Sequence, residues 1–230
     1  MKKIGLVGGT GPESTLMYYR ELNGRIDKLT RSAEMPEIAV ESVNFRRVWR
    51  LVSSGDHEAL TGYLSEKIEN LSRCGCEVIA LTAATMHVVF DELVRKTGVR
   101  LVSIPEAVCA EVRARGYRKV GLLGTIFTME QDFMKKDFVR AGMEVVVPGK
   151  ADRELIARRI LEELELGIVK EETLGEFTRI ITEMRDGQGI QAVVLGCTEL
   201  PLLLNPGNCP VDCLDSVEIH LQTLIRLATA

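Results

Sequence analysis

A thiol, a hydroxyl and a carboxyl stand together at Cys197-Thr198-Glu199, directly after the apolar run Ala192–Gly196. A cysteine near free backbone amides can have a lowered pKa, and its thiolate is a base or a nucleophile. Thr198 and the loop amides could hold a carboxylate beside it. Without such neighbours a lone cysteine is a small buried hydrophobe. A second run, Val78–Thr82, leads into Ala83-Ala84-Thr85-Met86-His87. His87 there could orient or protonate a ligand, or serve as a structural histidine at a helix start. A third loop, Gly8-Gly9-Thr10-Gly11-Pro12-Glu13-Ser14, follows the run Lys3–Val7 and opens a helix. Its glycines let the backbone approach a ligand, and free N–H groups at a helix start attract anions. It has neither the Gly-Lys-Ser/Thr of a Walker loop nor the third glycine of a dinucleotide fingerprint, so a small anion such as a carboxylate fits better than a nucleotide. Arg46, Arg47 and Arg50 follow the run Ile38–Val43. One could clamp a carboxylate, or all could form a solvated basic face.

Strands and helices must alternate to position these loops. Strand candidates are Lys3–Val7, Ile38–Val43, Val78–Thr82, Arg100–Ile104, Lys119–Leu123, Met143–Val147, Ala192–Gly196 and Pro210–Cys213. Between them lie helical patterns such as Ser14–Leu29, His57–Arg73, Met86–Lys96, Met129–Ala141 and Glu154–Leu166. Strands apolar on both sides and separated by helices predict parallel sheets covered on both faces, an α/β chain. The pattern also repeats. Lys3–Gly8 reads against Lys119–Gly124, and Val78–Ala83 against Ala192–Cys197, at nearly one offset. Thr10-x-x-Glu13 and Thr128-x-x-Gln131 read as matching capping boxes. An internal duplication follows: two pseudo-symmetric lobes, each a mostly parallel four-stranded sheet flanked by helices, with the active site between them. The expected boundaries are 1–105 plus 209–230 for the first lobe and 106–208 for the second. In such sheets ligands bind beyond the carboxyl ends of the strands. That selects the loops Gly8–Ser14, Ala83–His87, Gly124–Thr128 and Cys197–Leu200, and with them the hydroxyls of Thr85, Thr125, Thr128 and Thr198.

Composition narrows the functions. The 230 residues are 46% hydrophobic and 27% charged, as expected of a globular protein able to bury a core without staples. Aromatics are only 5% and the net charge is −4, which argues against a nucleic-acid partner. No apolar run approaches the ~20 residues of a membrane helix, and glycine interrupts the first apolar run too early for a signal-peptide core. Six cysteines at spacings unlike zinc pairs predict free thiols in a reducing cytoplasm and no metal site.

Nearly end to end, the sequence resembles the aspartate/glutamate racemases, which group with glutamate and hydantoin racemases, maleate isomerases and arylmalonate decarboxylases. The resemblance rests on Gly8–Thr15, on Ala84-Thr85-Met86-His87 with Phe90–Leu93, on Leu122–Thr125 with Thr128-Met129, and on Gly196-Cys197-Thr198-Glu199-Leu200. Glu199, where glutamate racemases carry histidine, points to the aspartate/glutamate branch. The resemblance implies a cytoplasmic homodimer that racemises amino acids without cofactor or metal. Two cysteines would work on opposite faces of Cα, and loop groups including Gly9, Thr10, Ala84, Thr85, Thr125, Thr128, Thr198 and Glu199 would hold the substrate. His87, Arg46 and Arg47 are further candidates. Two departures stand out. Ala83 and Ala84 occupy the places of the first cysteine and its following asparagine, leaving Cys197 as the second. Aspartate-selective members carry a lysine around Glu162–Gly167, where this chain has Glu162, Glu163 and Glu165, which weakens the case for a second carboxylate on the substrate. A one-cysteine lyase or decarboxylase, or a small-molecule binding protein without catalysis, are the alternatives.

Overall fold

The computed structural model describes residues 1–230, and the chain divides into two units, Met1–Ile104 with His220–Ala230, and Pro105–Ile219. The first unit runs β1 (Ile4–Gly8), α1 (Pro12–Leu29), β2 (Ile38–Ser42), α2 (Phe45–Ser54), α3 (His57–Arg73), β3 (Val78–Leu81), α4 (Phe90–Thr97) and β4 (Leu101–Val102), and α5 (Ile104–Ala114) begins at its edge. Its four strands are parallel in the order β2-β1-β3-β4. Every residue of β1 and β3 is buried, so neither strand alternates polar with apolar. Helices cover both faces of such a sheet. Helix α1 buries Ser14, Tyr18, Leu22 and Ile26, one side chain per turn. Helix α3 does the same with Leu60, Leu64 and Ile68.

The second unit repeats this plan with β5 (Lys119–Leu123), α6 (Ile126–Glu130), α7 (Lys136–Arg140), β6 (Glu144–Val146), α8 (Lys150–Glu162), α9 (Glu171–Gln188), β7 (Ala192–Leu195) and β8 (Asp212–Asp215). Its sheet is again parallel, in the order β6-β5-β7-β8. The last helix, α10 (Ser216–Thr229), starts in the second unit and finishes in the first, where the Lys2 amide donates to Ala228 O. In both sheets the chain leaves the first strand toward one edge and then crosses to the other. The reversal falls between β1 and β3 and between β5 and β7. Ligands of open α/β sheets bind at the carboxyl ends of the strands at such a switch point.

All eight expected strands form, within a few residues of their expected ends, but three expectations need correction. Residues 209–219 belong to the second unit rather than the first, because β8 is hydrogen-bonded along its length to β7. The helix expected over Met129–Ala141 is two short helices, α6 and α7. Gln131 turns extended between them, which allows Phe133 and Met134 to be buried. Neither capping box exists. Gly11 caps α1 without a side-chain bond, and Thr10 Oγ1 instead lies 3.3 Å from Met86 Sδ. Thr125, not Thr128, caps α6, accepting the Thr128 amide.

Candidate active site

In the second unit the switch-point loops end β5 and β7. The backbone continues β7 through Gly196, whose amide donates to Leu123 O. Only glycine fits there. A Cβ would lie 2.9 Å from Thr128 Cγ2 and 3.0 Å from Leu123 O. The buried Thr128 thus fills the space that Gly124 and Gly196 leave open, and its hydroxyl lies 3.0 Å from that of Thr125. Cys197 follows, half-buried, against the core cluster that holds Leu164, Leu195 and Leu200.

The thiol of Cys197 donates to Glu199 Oε2 at 2.6 Å, and the hydroxyl of Thr198 donates to Oε1 of the same carboxylate at 2.6 Å. Both bonds run to the one carboxyl group, which accepts from each. Desolvation by burial pushes the Cys197 thiol well above its ordinary pKa. The charge and hydrogen bond of Glu199 push the same way, as does the charge of Glu165, while the backbone amide of Glu199 weakly opposes them. Cys197 therefore rests as a thiol, an acid already bonded to the base that can take its proton.

Glu165 comes from the single 3-10 turn Leu164–Leu166 that follows α8. Burial and the charge of Glu199 raise its own pKa. The preceding residue anchors this segment. The Glu163 carboxylate accepts from the Thr173 hydroxyl, from Arg159 at 2.6 Å and from Lys170 at 3.1 Å. Those bonds, Thr173 foremost, hold its pKa at about 2.

In the first unit the loops after β1 and β3 also meet. Ser14 Oγ donates to Thr82 O at 3.0 Å, Thr15 Oγ1 accepts the Gly9 amide at 2.9 Å, and the Thr15 and Thr82 hydroxyls lie 3.4 Å apart. A Cβ on Gly8 would run into Thr15, the counterpart of Thr128 against Gly124. Ala83, Ala84 and Thr85 are half-buried at the start of the 3-10 turn Ala84–Val89. His87 is buried with both ring nitrogens engaged. Nε2 accepts the Ile104 amide at 3.1 Å, so the proton sits on Nδ1, 3.2 Å from the carbonyls of Ala83 and Ala84. This neutral ring secures the start of α5 and offers no free nitrogen. Arg46 and Arg47 lie exposed in the first turn of α2, and the Arg47 guanidinium stacks 4.1 Å from the Tyr63 ring centroid.

Within each unit, then, the expected loop residues gather at the carboxyl ends of the central strands: Gly9, Thr10, Ala83, Ala84 and Thr85 in one, Thr125, Thr128, Cys197, Thr198 and Glu199 in the other. Sequence reasoning missed Thr15 as the packing partner of Gly8, and the Cys197–Glu199 bond. Thr15 was legible in principle, as a hydroxyl in the first turn of its helix, like Thr128. An open depression lined by Lys3, Glu34, Glu37, Cys74 and Glu77 lies at the opposite, amino ends of the first sheet's strands. No group of three or more His, Cys, Asp or Glu is arranged to hold a metal ion, and no helix is long and apolar enough to cross a membrane.

Residues 7–224 match the family model described as Asp/Glu/hydantoin racemase. Among solved structures, an aspartate racemase homologue from Pyrococcus horikoshii OT3 is 42% identical, with a TM-score of 0.89 and both chains fully covered. A Yersinia pestis protein, provisionally described as an Asp/Glu racemase, is 35% identical over the whole of both chains with a TM-score of 0.95. The aspartate racemase of Picrophilus torridus shares the fold at 19% identity and a TM-score of 0.73, over all of this chain and 95% of its own.

Proposed function

Since the chain belongs to the Asp/Glu/hydantoin racemase family, we propose that it moves a proton at the Cα of an amino acid, with Cys197 as the acid and base. The observation that carries this reading is the 2.6 Å bond from the Cys197 thiol to Glu199. In the proposed step Glu199 takes the thiol proton, and the thiolate removes the proton of Cα. The charge left on the substrate spreads into its carboxylate, which amides of the Cys197 loop and the hydroxyl of Thr125 would hold. The α-ammonium of an arriving amino acid would lower the cost of ionising the thiol, because it offsets the negative charge that burial and Glu199 place around the sulfur.

Inversion also needs a proton donor on the opposite face of Cα. The family resemblance assigns that place to position 83, where Ala83 supplies a methyl group that moves no proton. His87 has both nitrogens occupied, and the Thr82 hydroxyl is buried against Val7 O. Thr85 and solvent remain as donors. Ala83 also favours a second reading, a one-cysteine lyase in which Cys197 protonates a carbanion on one face only.

Incubation of single enantiomers in D2O tests both. A racemase gives deuterium at Cα together with optical inversion. Cys197 acting on one face gives deuterium with retention. If neither deuterium nor inversion appears with any amino acid, the proposal fails.

A further inference from the structure

We propose that Met86 is a positioning residue of the substrate site: its buried sulfur holds the Thr10 hydroxyl in the orientation in which Thr10 meets the substrate. The inference rests on the reading of the chain as a proton-transfer enzyme whose loop after β1 contacts the amino acid, and adds a residue outside that loop. Thr10 Oγ1 lies 3.3 Å from Met86 Sδ. A thioether sulfur carries no proton, so the hydroxyl donates and the sulfur accepts. The bond fixes the rotamer of Thr10 and with it the direction of the oxygen's lone pairs.

Thr10 needs such an anchor. It stands between Gly9 and Gly11, both at positive φ, and neither has a side chain to brace it. It does not cap α1 either, since Gly11 holds that place without a side-chain bond. The backbone before it is fixed, because the Gly9 amide donates to Thr15 Oγ1 at 2.9 Å. The side chain of Thr10 is what remains to be set. Met86 is suited to setting it. The methionine side chain is fully buried, and its backbone belongs to the 3-10 turn Ala84–Val89. The next residue, His87, ties that turn down through the carbonyls of Ala83 and Ala84 at 3.2 Å and the Ile104 amide at 3.1 Å. The sulfur therefore projects from a held base. Through it the loop after β3 fixes a side chain of the loop after β1, beside the bond from Ser14 Oγ to Thr82 O. An apolar side chain of similar volume would fill the same space but leave the hydroxyl free to turn among its staggered positions.

The test is a double-mutant cycle on Cα deuteration in D2O, followed by proton NMR with each of the common L-amino acids. The proteins are the wild type, Met86→Leu, Thr10→Val and the double variant. Met86→Leu conserves side-chain volume and removes the acceptor. The expected result is a KM about three- to tenfold higher in Met86→Leu, the worth of one neutral hydrogen bond, with kcat unchanged. The double variant should have the KM of Thr10→Val alone, because Met86 acts through Thr10. A merely structural role would shrink the active fraction, hence kcat, and leave KM as it was. That result, a wild-type KM in Met86→Leu, or losses that multiply in the double variant overturns the inference and leaves the proton-transfer reading standing. A second measurement does not depend on Met86→Leu folding or on turnover. In protein labelled at the methionine methyl carbons, one of the eight methyl resonances should move in Thr10→Val and stay in Thr10→Ser, which keeps the hydroxyl. No movement in Thr10→Val overturns the bond itself. Absence of exchange with every amino acid overturns the proton-transfer reading and the inference with it.

Discussion

At the scale of single residues, the chemistry depends on which proton Cys197 holds. Burial raises the thiol most, and Glu199 adds to it by its charge and its hydrogen bond. Glu199→Gln removes that charge, so the Cys197 thiolate should form at lower pH than in the wild type. Peptide-resolved alkylation with iodoacetamide across pH should show the Cys197 inflection moving down. An unmoved inflection would mean the carboxylate does not govern the thiol. Exchange at Cα should nonetheless slow, because the proton acceptor is gone. Cys197→Ala should lose it almost wholly, since an essential acid/base is commonly worth about 10²–10⁴-fold. Ala83→Cys makes the complementary test. If position 83 faces the other side of Cα, the added thiol should raise the inverted fraction of product relative to deuterium retained on one face, read by chiral chromatography of the same D2O incubations.

At the scale of elements, two features fix the segments around the candidate site. One is the contact of Thr128 with Gly124 and Gly196. In Gly196→Ala the new methyl meets the backbone oxygen of Leu123 as well as a side chain, so relief requires the strand ends to move. A loss of about 1–3 kcal/mol is expected from such overpacking, measured by urea denaturation. The other is Glu163, which ties the end of α8 to the start of α9. Its pKa is depressed to about 2 from an ordinary 4.5. The stability it contributes is therefore present above pH 4.5 and is lost as pH falls toward 2. Glu163→Gln should flatten that part of the acid-unfolding curve relative to the wild type. It should also raise hydrogen exchange in residues 163–173 at neutral pH. A variant with the wild-type acid curve would show that the cluster does not anchor the turn.

At the scale of the whole chain, its last helix completes the first unit around a buried histidine. His220 accepts from the Tyr18 hydroxyl at 2.8 Å through Nδ1 and donates to Val102 O at 3.2 Å through Nε2. Burial lowers its pKa to about 4 from 6.5. The unfolded chain takes up this proton first, so the stability held by the neutral ring is complete above pH 6.5 and drains away as pH falls toward 4. The ceiling is on the order of 3 kcal/mol. The wild type should lose Tm over that window more steeply than His220→Gln, whose amide can keep both bonds and does not titrate. Parallel curves for the two proteins would exclude His220 as the cause.

How much of this could be read from the chain depends on how far apart the deciding groups lie. The eight strands, their parallel arrangement in two sheets and the doubling of the plan were all legible. A strand buried on both faces must be apolar at nearly every position, and such a run marks itself whatever it packs against. The glycines that end the strands and the identity of the thiol were visible for the same local reason. Hydrogen-bond partners were not. Thr10 and Thr128 have the spacing of capping boxes, yet Met86 takes the side chain of one and the space beside Gly124 and Gly196 takes the other, contacts that sequence spacing does not encode. Strand β8 was expected in the first lobe, and its backbone pairing with β7 puts it in the second unit. His87, Glu163 and Glu165 are all titratable residues beside candidate loops. Only the folded chain decides that an amide 17 residues away neutralises the use of the first, that Arg159, Lys170 and Thr173 absorb the second, and that the third stays exposed. Burial is written into each residue's own polarity, whereas a charge's role is set by the neighbours that long-range packing brings to it.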